Sequence, residues 1–336
     1  LVIGKTGTGK SGFINYLFGK EVAQSDAGRP QTKEGFHKNT LKIQDLPPVN
    51  VFDSWGLEAD KHEKWMELLN KELEKRGTSK PAQEWFHSVF YCIQASGHRV
   101  EPADVAIVNR LIEQKYPVTI LLTKSDLVSE EDEIKMQETV NQEFQGKVKA
   151  IPICIGAETR NGKTKPFGRD KVIASMKSNC YLGLANRLPL HLREILKKNL
   201  KQWTQEASSI IKNVGRFEKK NELNQLTELT EKKFKHIPEE LIETAFSTMK
   251  IYEKILTWTG KNISLDKSSK EETELGNGYL LLALFPPVTI ALIGTAIYEF
   301  FKGKSNNEKD LQLYFDENYE KLKKYCEDFI ASFETY

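Results

Sequence analysis

Short apolar runs alternate with segments of helical spacing through the first half of the chain, and the alternation stops near residue 184. Residues 1–3, 49–52, 89–93, 118–122 and 150–155 have the length and bulk of buried strands. Residues 39–43 alternate apolar and polar side chains, as a strand with one wet face does. Between these runs, residues 11–18, 66–74, 103–115 and 131–144 space their apolar positions as helices packed by one face do. Strand and helix in turn predict an α/β domain, a mostly parallel sheet with helices on both faces.

A Gly/Lys-rich loop at 156–168 and a helix over 170–182 close that part. Beyond it strand signals vanish, and 190–214, 218–234, 238–259 and 308–333 read as long charged helices. The organisation predicted is an α/β domain over 1–184 followed by an all-helical domain over 185–336. A polar loop at 267–278 leads into an apolar segment at 279–301. From Gly278 through Tyr298 no side chain is charged, a length that could cross a bilayer. Pro286-Pro287 would break a continuous helix there, because each removes a backbone donor. Two short helices meeting at the prolines fit better. Their first reading is the buried centre of a helical bundle, their second a hairpin dipping into a membrane.

Composition narrows little. The 49 basic residues nearly balance the 47 acidic ones, so the net charge of +2 points to no particular partner and by itself neither suggests nor excludes nucleic acid, which is not among the partners expected. Cys92, Cys154, Cys180 and Cys326 are scattered without a CxxC pair, which suits a reducing cytoplasmic compartment. The histidines show no paired spacing that would build a metal site. The chain opens on Leu1 within an apolar run, and residues ahead of it are expected in the natural protein.

Chemistry enters with Gly4-Lys5-Thr6-Gly7-Thr8-Gly9-Lys10-Ser11, a full GxxxxGK[ST] pattern between a strand and a helix. Glycines let such a loop turn its N–H groups onto phosphates. Gly4, Thr6, Gly7, Thr8 and Gly9 are assigned to that cradle, with Gly12 just behind it. Lys10 supplies positive charge for the β- and γ-phosphates, and Ser11 offers a hydroxyl to Mg²⁺ at a helix N-terminus. Asp53-Ser54-Trp55-Gly56 follows the strand at 49–52. Asp53 would hold Mg²⁺, and the Gly56 N–H would sense the γ-phosphate. Thr123-Lys124-Ser125-Asp126 follows the strand at 118–122 and chooses the base. An aspartate there accepts both N–H groups of the guanine edge, which adenine lacks, while Lys124 lies over the ring and Thr123 opens the motif. Thr32, in the loop before the second strand, is the expected third metal ligand, with Thr40 or a structural role as alternatives. Gly156-Ala157 stands where a backbone N–H would meet the guanine oxygen. The cofactors implied are GTP or GDP with Mg²⁺.

In order and spacing these motifs resemble translation-factor-class P-loop GTPases, in their Era-like and septin-like branches, over about residues 1–184. Bacterial 50S-ribosome-binding GTPase domains look similar, and Gly7 also matches the loop of septins, immunity-related and plastid-import GTPases. The resemblance implies a Ras-like G domain. Leu57 stands where a Ras-like protein carries its water-orienting glutamine, which implies that hydrolysis needs help. Gly7 replaces the asparagine of potassium-activated relatives, so potassium stimulation is not expected. Trp55 reads as a packing residue of the switch.

Lys10, Thr32 and Gly56 are the residues expected to serve turnover. Glu34, His37 and Glu58 are weak candidates for orienting water, and Arg29 for an arginine finger. The function expected is slow GTP hydrolysis driving a molecular switch through the helical domain, faster with a partner or in a nucleotide-dependent homodimer. The rivals are a dynamin-like or immunity-related-like GTPase meeting a membrane through 279–301, and a regulatory subunit that binds GTP without hydrolysing it. A cytoplasmic protein, peripheral at a membrane in the first rival, follows from either. A ribosome-assembly role finds no RNA-binding module after residue 184.

Overall fold

Six strands form one sheet in the order β2-β3-β1-β4-β5-β6. They are β1 (Val2–Gly4), β2 (Phe36–Leu41), β3 (Val49–Ser54), β4 (Val89–Gln94), β5 (Val118–Thr123) and β6 (Lys149–Pro152). All neighbours are parallel except the edge strand β2, which runs antiparallel to β3 with His37 opposite Asp53. The computed structural model describes residues 1–21, 35–41, 48–57, 61–97, 99–156, 158–159 and 162–212, with isolated helical positions between 225 and 248.

The central strands read as unbroken apolar runs because both faces of the sheet are covered. Ile3, Tyr91, Ile93, Ile120 and Leu122 pack on one side, beneath α2 (His62–Lys75), α3 (Pro102–Glu113) and α4 (Glu130–Glu143). Val2, Phe90, Cys92 and Leu121 face the other, beneath α1 (Lys10–Phe18) and α5 (Arg169–Lys212). Each fully buried Leu, Ile or Phe contributes about 1.5–3 kcal/mol. The mostly parallel sheet with helices on both faces is the expected α/β fold. The order turns at β1, flanked by β3 and β4, and loops at the carboxyl ends of strands on either side of such a point are where this architecture binds ligands.

Three local expectations shift. β2 begins at Phe36, three residues before the apolar alternation suggested, because an edge strand takes its register from β3 alone. β6 ends at Pro152; Cys154 leaves it to pair with Phe167, and β7 (Glu158–Thr159) forms a small hairpin with β8 (Gly162–Lys163). The helices expected at 170–182 and 190–214 are one helix, α5. Gly183 and Pro189 argue for a break, yet Val172, Met176, Leu184, Leu188 and Leu192 keep a buried apolar stripe at four-residue spacing across both.

The chain divides into two compact units, Leu1–Arg187 and Leu188–Tyr336, so the division falls within α5. In the second unit Asn199 on α5 donates to Glu240 at 2.9 Å, and the described positions are helical. Apart from those positions, the helices expected at 218–234, 238–259 and 308–333 and the segment at 279–301 lie outside the described residues. Among the described residues no helix is long and apolar enough to cross a membrane.

Candidate nucleotide-binding site

The loop from Gly4 to Ser11 leaves β1 and turns into α1 through three glycines with positive φ. At Gly4 (φ 148°) a Cβ would lie 2.5 Å from the Cys92 carbonyl oxygen, so nothing larger fits. Gly9 (φ 84°) is the left-handed residue that starts α1. The Lys5 carbonyl is the hub of the loop. It accepts from Lys10 Nζ at 2.8 Å and Thr8 Oγ1 at 2.8 Å. Lys10 thus curls its ammonium back over the loop it belongs to, and burial lowers its pKa. A phosphate there would give that charge a stronger acceptor than a carbonyl.

Asp53, at the end of β3, is 2% exposed. One carboxylate oxygen accepts from Ser11 Oγ at 3.3 Å, and the other, Oδ1, is buried without a hydrogen-bond partner among the described residues. Burial lifts its pKa to about 6, against the opposing pull of Lys10, Ser11 and His37. An orphaned hard oxygen beside a serine hydroxyl fits Mg²⁺, which favours one or two protein oxygens together with phosphate and water. Thr40 sits three positions along β2 from His37, bonded to Asn50 at 3.0 Å, and so faces away from Asp53. Thr32 lies outside the described residues, as do Arg29, Glu34 and Glu58.

Gly56 presses against the phosphate loop: a Cβ there would strike the Thr6 hydroxyl and lie 2.7 Å from Thr6 Cα. Leu57 N donates to Gly4 O at 3.2 Å, and Thr6 N donates to Leu57 O at 3.1 Å. Leu57 itself is 5% exposed within the core, so it cannot orient water. Trp55 is buried as its packing reading expected, and its carbonyl accepts from the Trp65 indole of α2 at 2.9 Å.

The turn at 123–126, expected to read the base, is fastened to the same loop. Thr123 Oγ1 donates to Thr8 O at 2.6 Å, and Lys124, in the left-handed region, reaches Gly7 O at 3.0 Å. Ser125 N is held on Ile153 O of the β6 exit. Asp126 is half-buried in the following turn, and its carboxylate has no partner among the described residues. Gly156 has a positive φ of 79°, and its amide meets Cys154 Sγ at 3.3 Å; Ala157 lies outside the described residues. Nearby, the Ile155 side chain comes within 2.6 Å of where a Gly12 Cβ would stand.

Sequence reasoning assigned Lys5 to the loop but missed its partners. Lys5 Nζ is bound by Glu101 at 2.7 Å and Asp104 at 3.0 Å, at the start of α3. The spacing of Glu101 and Asp104 marks a capping box, which α3 has, but nothing in it points to a lysine some hundred positions earlier.

The family model described as Septin matches residues 1–169, half of the chain. The chain belongs to the septin family. That family is one of GTP-binding P-loop GTPases, so the motif resemblance to Era-like and septin-like proteins is borne out. GTPase Era of Caldicellulosiruptor saccharolyticus is 30% identical over 131 residues, 39% of this chain and 41% of that protein. Septin homolog spn2 of Schizosaccharomyces pombe is 24% identical over 169 residues, 43% of this chain and 50% of that protein. This septin-family chain thus spans about half the length of the curated relatives it matches. Among solved structures, Toc33 from Arabidopsis thaliana in complex with Mg²⁺ and GMPPNP gives 16% identity and a TM-score of 0.39, over 53% of this chain and 82% of that one. The LeoA bacterial dynamin GTPase from ETEC gives 9% identity and a TM-score of 0.40, over 99% and 85%. Scores at this level carry no residue across.

Proposed function

We propose that this septin-family chain binds GTP with Mg²⁺, hydrolyses it slowly, and acts as a nucleotide-dependent switch whose output passes through α5 to its helical half. The observation that carries the reading is Asp53: a buried carboxylate with one orphaned oxygen, beside Ser11 and within the field of Lys10.

In this reading Lys10 leaves the Lys5 carbonyl for the β- and γ-phosphates, and the amides of Gly7 to Ser11 line the β-phosphate. Ser11 and Asp53 hold the metal, with Thr32 joining them when the γ-phosphate is bound. Bound Mg²⁺ would neutralise charge that develops on the transferring phosphoryl group. Asp126 reads the guanine edge, held in register by the Thr123 and Lys124 bonds to the loop. Slow turnover is supported by the burial of Leu57, which puts an apolar core side chain where a Ras-like protein carries its water-orienting glutamine. A second copy paired across the nucleotide face is the partner that would supply the missing group. A cytoplasmic location is in keeping with free Cys92, Cys154 and Cys180.

The test is titration of the full chain with GDP and with a non-hydrolysable GTP analogue in Mg²⁺, together with Asp126→Asn. Micromolar or tighter guanine binding, lost in Asp126→Asn and regained toward xanthine nucleotides, is expected. Equal affinity for ATP would sink the reading. Phosphate release at several per second from dilute monomer would refute the slow-turnover part.

A further inference from the structure

Asp104 takes no part in the motifs of the nucleotide site, yet it is 3% exposed and fully engaged. Its carboxylate accepts from Tyr91 OH at 2.7 Å, from the Glu101 backbone N–H at 3.0 Å and from Lys5 Nζ at 3.0 Å. Tyr91 is buried in β4, and Glu101 and Asp104 close the capping box of α3. The carboxylate therefore has one orientation, set by sheet and helix together, before Lys5 reaches it. Glu101 holds the same ammonium from the solvent side at 2.7 Å.

Lys5 is the residue where the phosphate loop and switch II meet. The peptides on either side of it bond to Leu57, and its own carbonyl accepts from Lys10 and Thr8. A phosphate that draws Lys10 away strips the stronger of those two bonds from the Lys5 carbonyl. The side-chain strap to Asp104 and Glu101 then remains to hold that turn. The amides expected on the β-phosphate lie downstream, from Gly7 to Ser11, whereas Gly56, expected on the γ-phosphate, packs on Thr6 directly beside the strap.

We infer that Asp104, through Lys5, is a positioning residue for the γ-phosphate pocket and so sets the preference of the site for GTP over GDP. The inference rests on the nucleotide reading above and gives one of its steps a cause. It is tested by titrating the full chain with GDP and with GTPγS in Mg²⁺, in the parent, in Asp104→Asn and in Lys5→Met. Asp104→Asn keeps an acceptor for Tyr91 and removes the negative charge that faces Lys5. Lys5→Met cuts the strap from its half-exposed end and leaves the α3 cap intact, so it reports even where Asp104→Asn fails to fold. GTPγS affinity is expected to fall about tenfold in each single variant, with GDP affinity moved less than about twofold. The double variant is expected to be no worse than either single one, because both cut the same link. Equal losses for the two nucleotides, or additive losses in the double variant, overturn the inference and reduce the strap to a brace. A parent chain that binds neither nucleotide overturns the proposed function, and the inference with it.

Discussion

Arg187 offers the sharpest test of how the G-domain unit is closed. It lies on α5 with 2% exposure, and no carboxylate among the described residues pairs with it. Instead its guanidinium donates to Gln114 O at 2.9 Å, Arg76 O at 3.3 Å and Tyr116 OH at 3.3 Å. Gln114 and Arg76 are the C-caps of α3 and α2, so one cation meets the negative ends of two helix dipoles. The guanidinium carbon also stands 3.8 Å from the Tyr116 ring centroid. Consider Arg187→Met, which keeps the bulk and removes every donor. Relief of a buried cation favours the variant, and for carboxylate pairs such relief often wins. Here it loses, because the helix-end carbonyls left behind have no second donor among the described residues. Two orphaned acceptors at about 1–2 kcal/mol each and a lost cation–π contact of about 1–2 kcal/mol exceed the desolvation gained. A net loss of about 3 kcal/mol is expected, which lowers Tm by roughly 6–12 °C for a unit of this size. Arg187→Lys, which keeps charge but cannot fork, should lose about half as much. Urea melts followed by far-UV circular dichroism measure both. An Arg187→Met protein with an unchanged or higher midpoint would refute the argument and make the cation a burden.

Other outcomes can be checked with less work. In the proposed site Mg²⁺ needs the Asp53 carboxylate ionised, and burial raises that pKa to about 6. Metal-dependent GDP affinity should therefore weaken as pH falls through about 6, and Asp53→Asn should abolish the dependence along with the metal effect; titrations from pH 5 to 8 decide it. Thr123→Val removes the 2.6 Å bond to Thr8 and so loosens the base-reading turn from the phosphate loop. It should weaken GDP and GTP alike by about tenfold, with unfolding free energy moved by only about 1 kcal/mol. Leu57→Gln, which restores the residue a Ras-like protein uses, should not speed phosphate release, because the position is buried. It should instead destabilise the chain by about 2 kcal/mol, read from denaturant melts.

The chemistry-bearing part of the chain was legible because it is local. Gly4 to Ser11 carry the whole GxxxxGK[ST] pattern in eight consecutive positions, and Thr123 to Asp126 follow a strand too apolar to be anything else. β4 and β5 were placed to within a residue for the same reason, since both faces are buried and their apolar runs stop one residue short of the polar ends Gln94 and Thr123. What was not legible depends on tertiary neighbours. The Lys5 strap exists because β1 lies beside β4 and the start of α3 follows β4 closely, which no spacing within either segment announces. β2 slipped because an edge strand is registered by its one partner. α5 runs through both helices expected at 170–182 and 190–214 because its buried apolar stripe continues across Gly183 and Pro189, residues that locally favour a break.

The buried Trp55 has a spectroscopic consequence. Its indole is enclosed in the core, with the ammonium groups of Lys61 and Lys64 about 6 Å from its ring, and its carbonyl is tied to the Trp65 indole. A movement that carries Gly56 and Leu57 off the phosphate loop and breaks that tie would hydrate one or both rings, shifting their emission to longer wavelength. The chain therefore carries an unlabelled optical reporter at the joint where γ-phosphate contact would be made or lost. A stopped-flow trace of its own fluorescence would time the closing of the proposed switch.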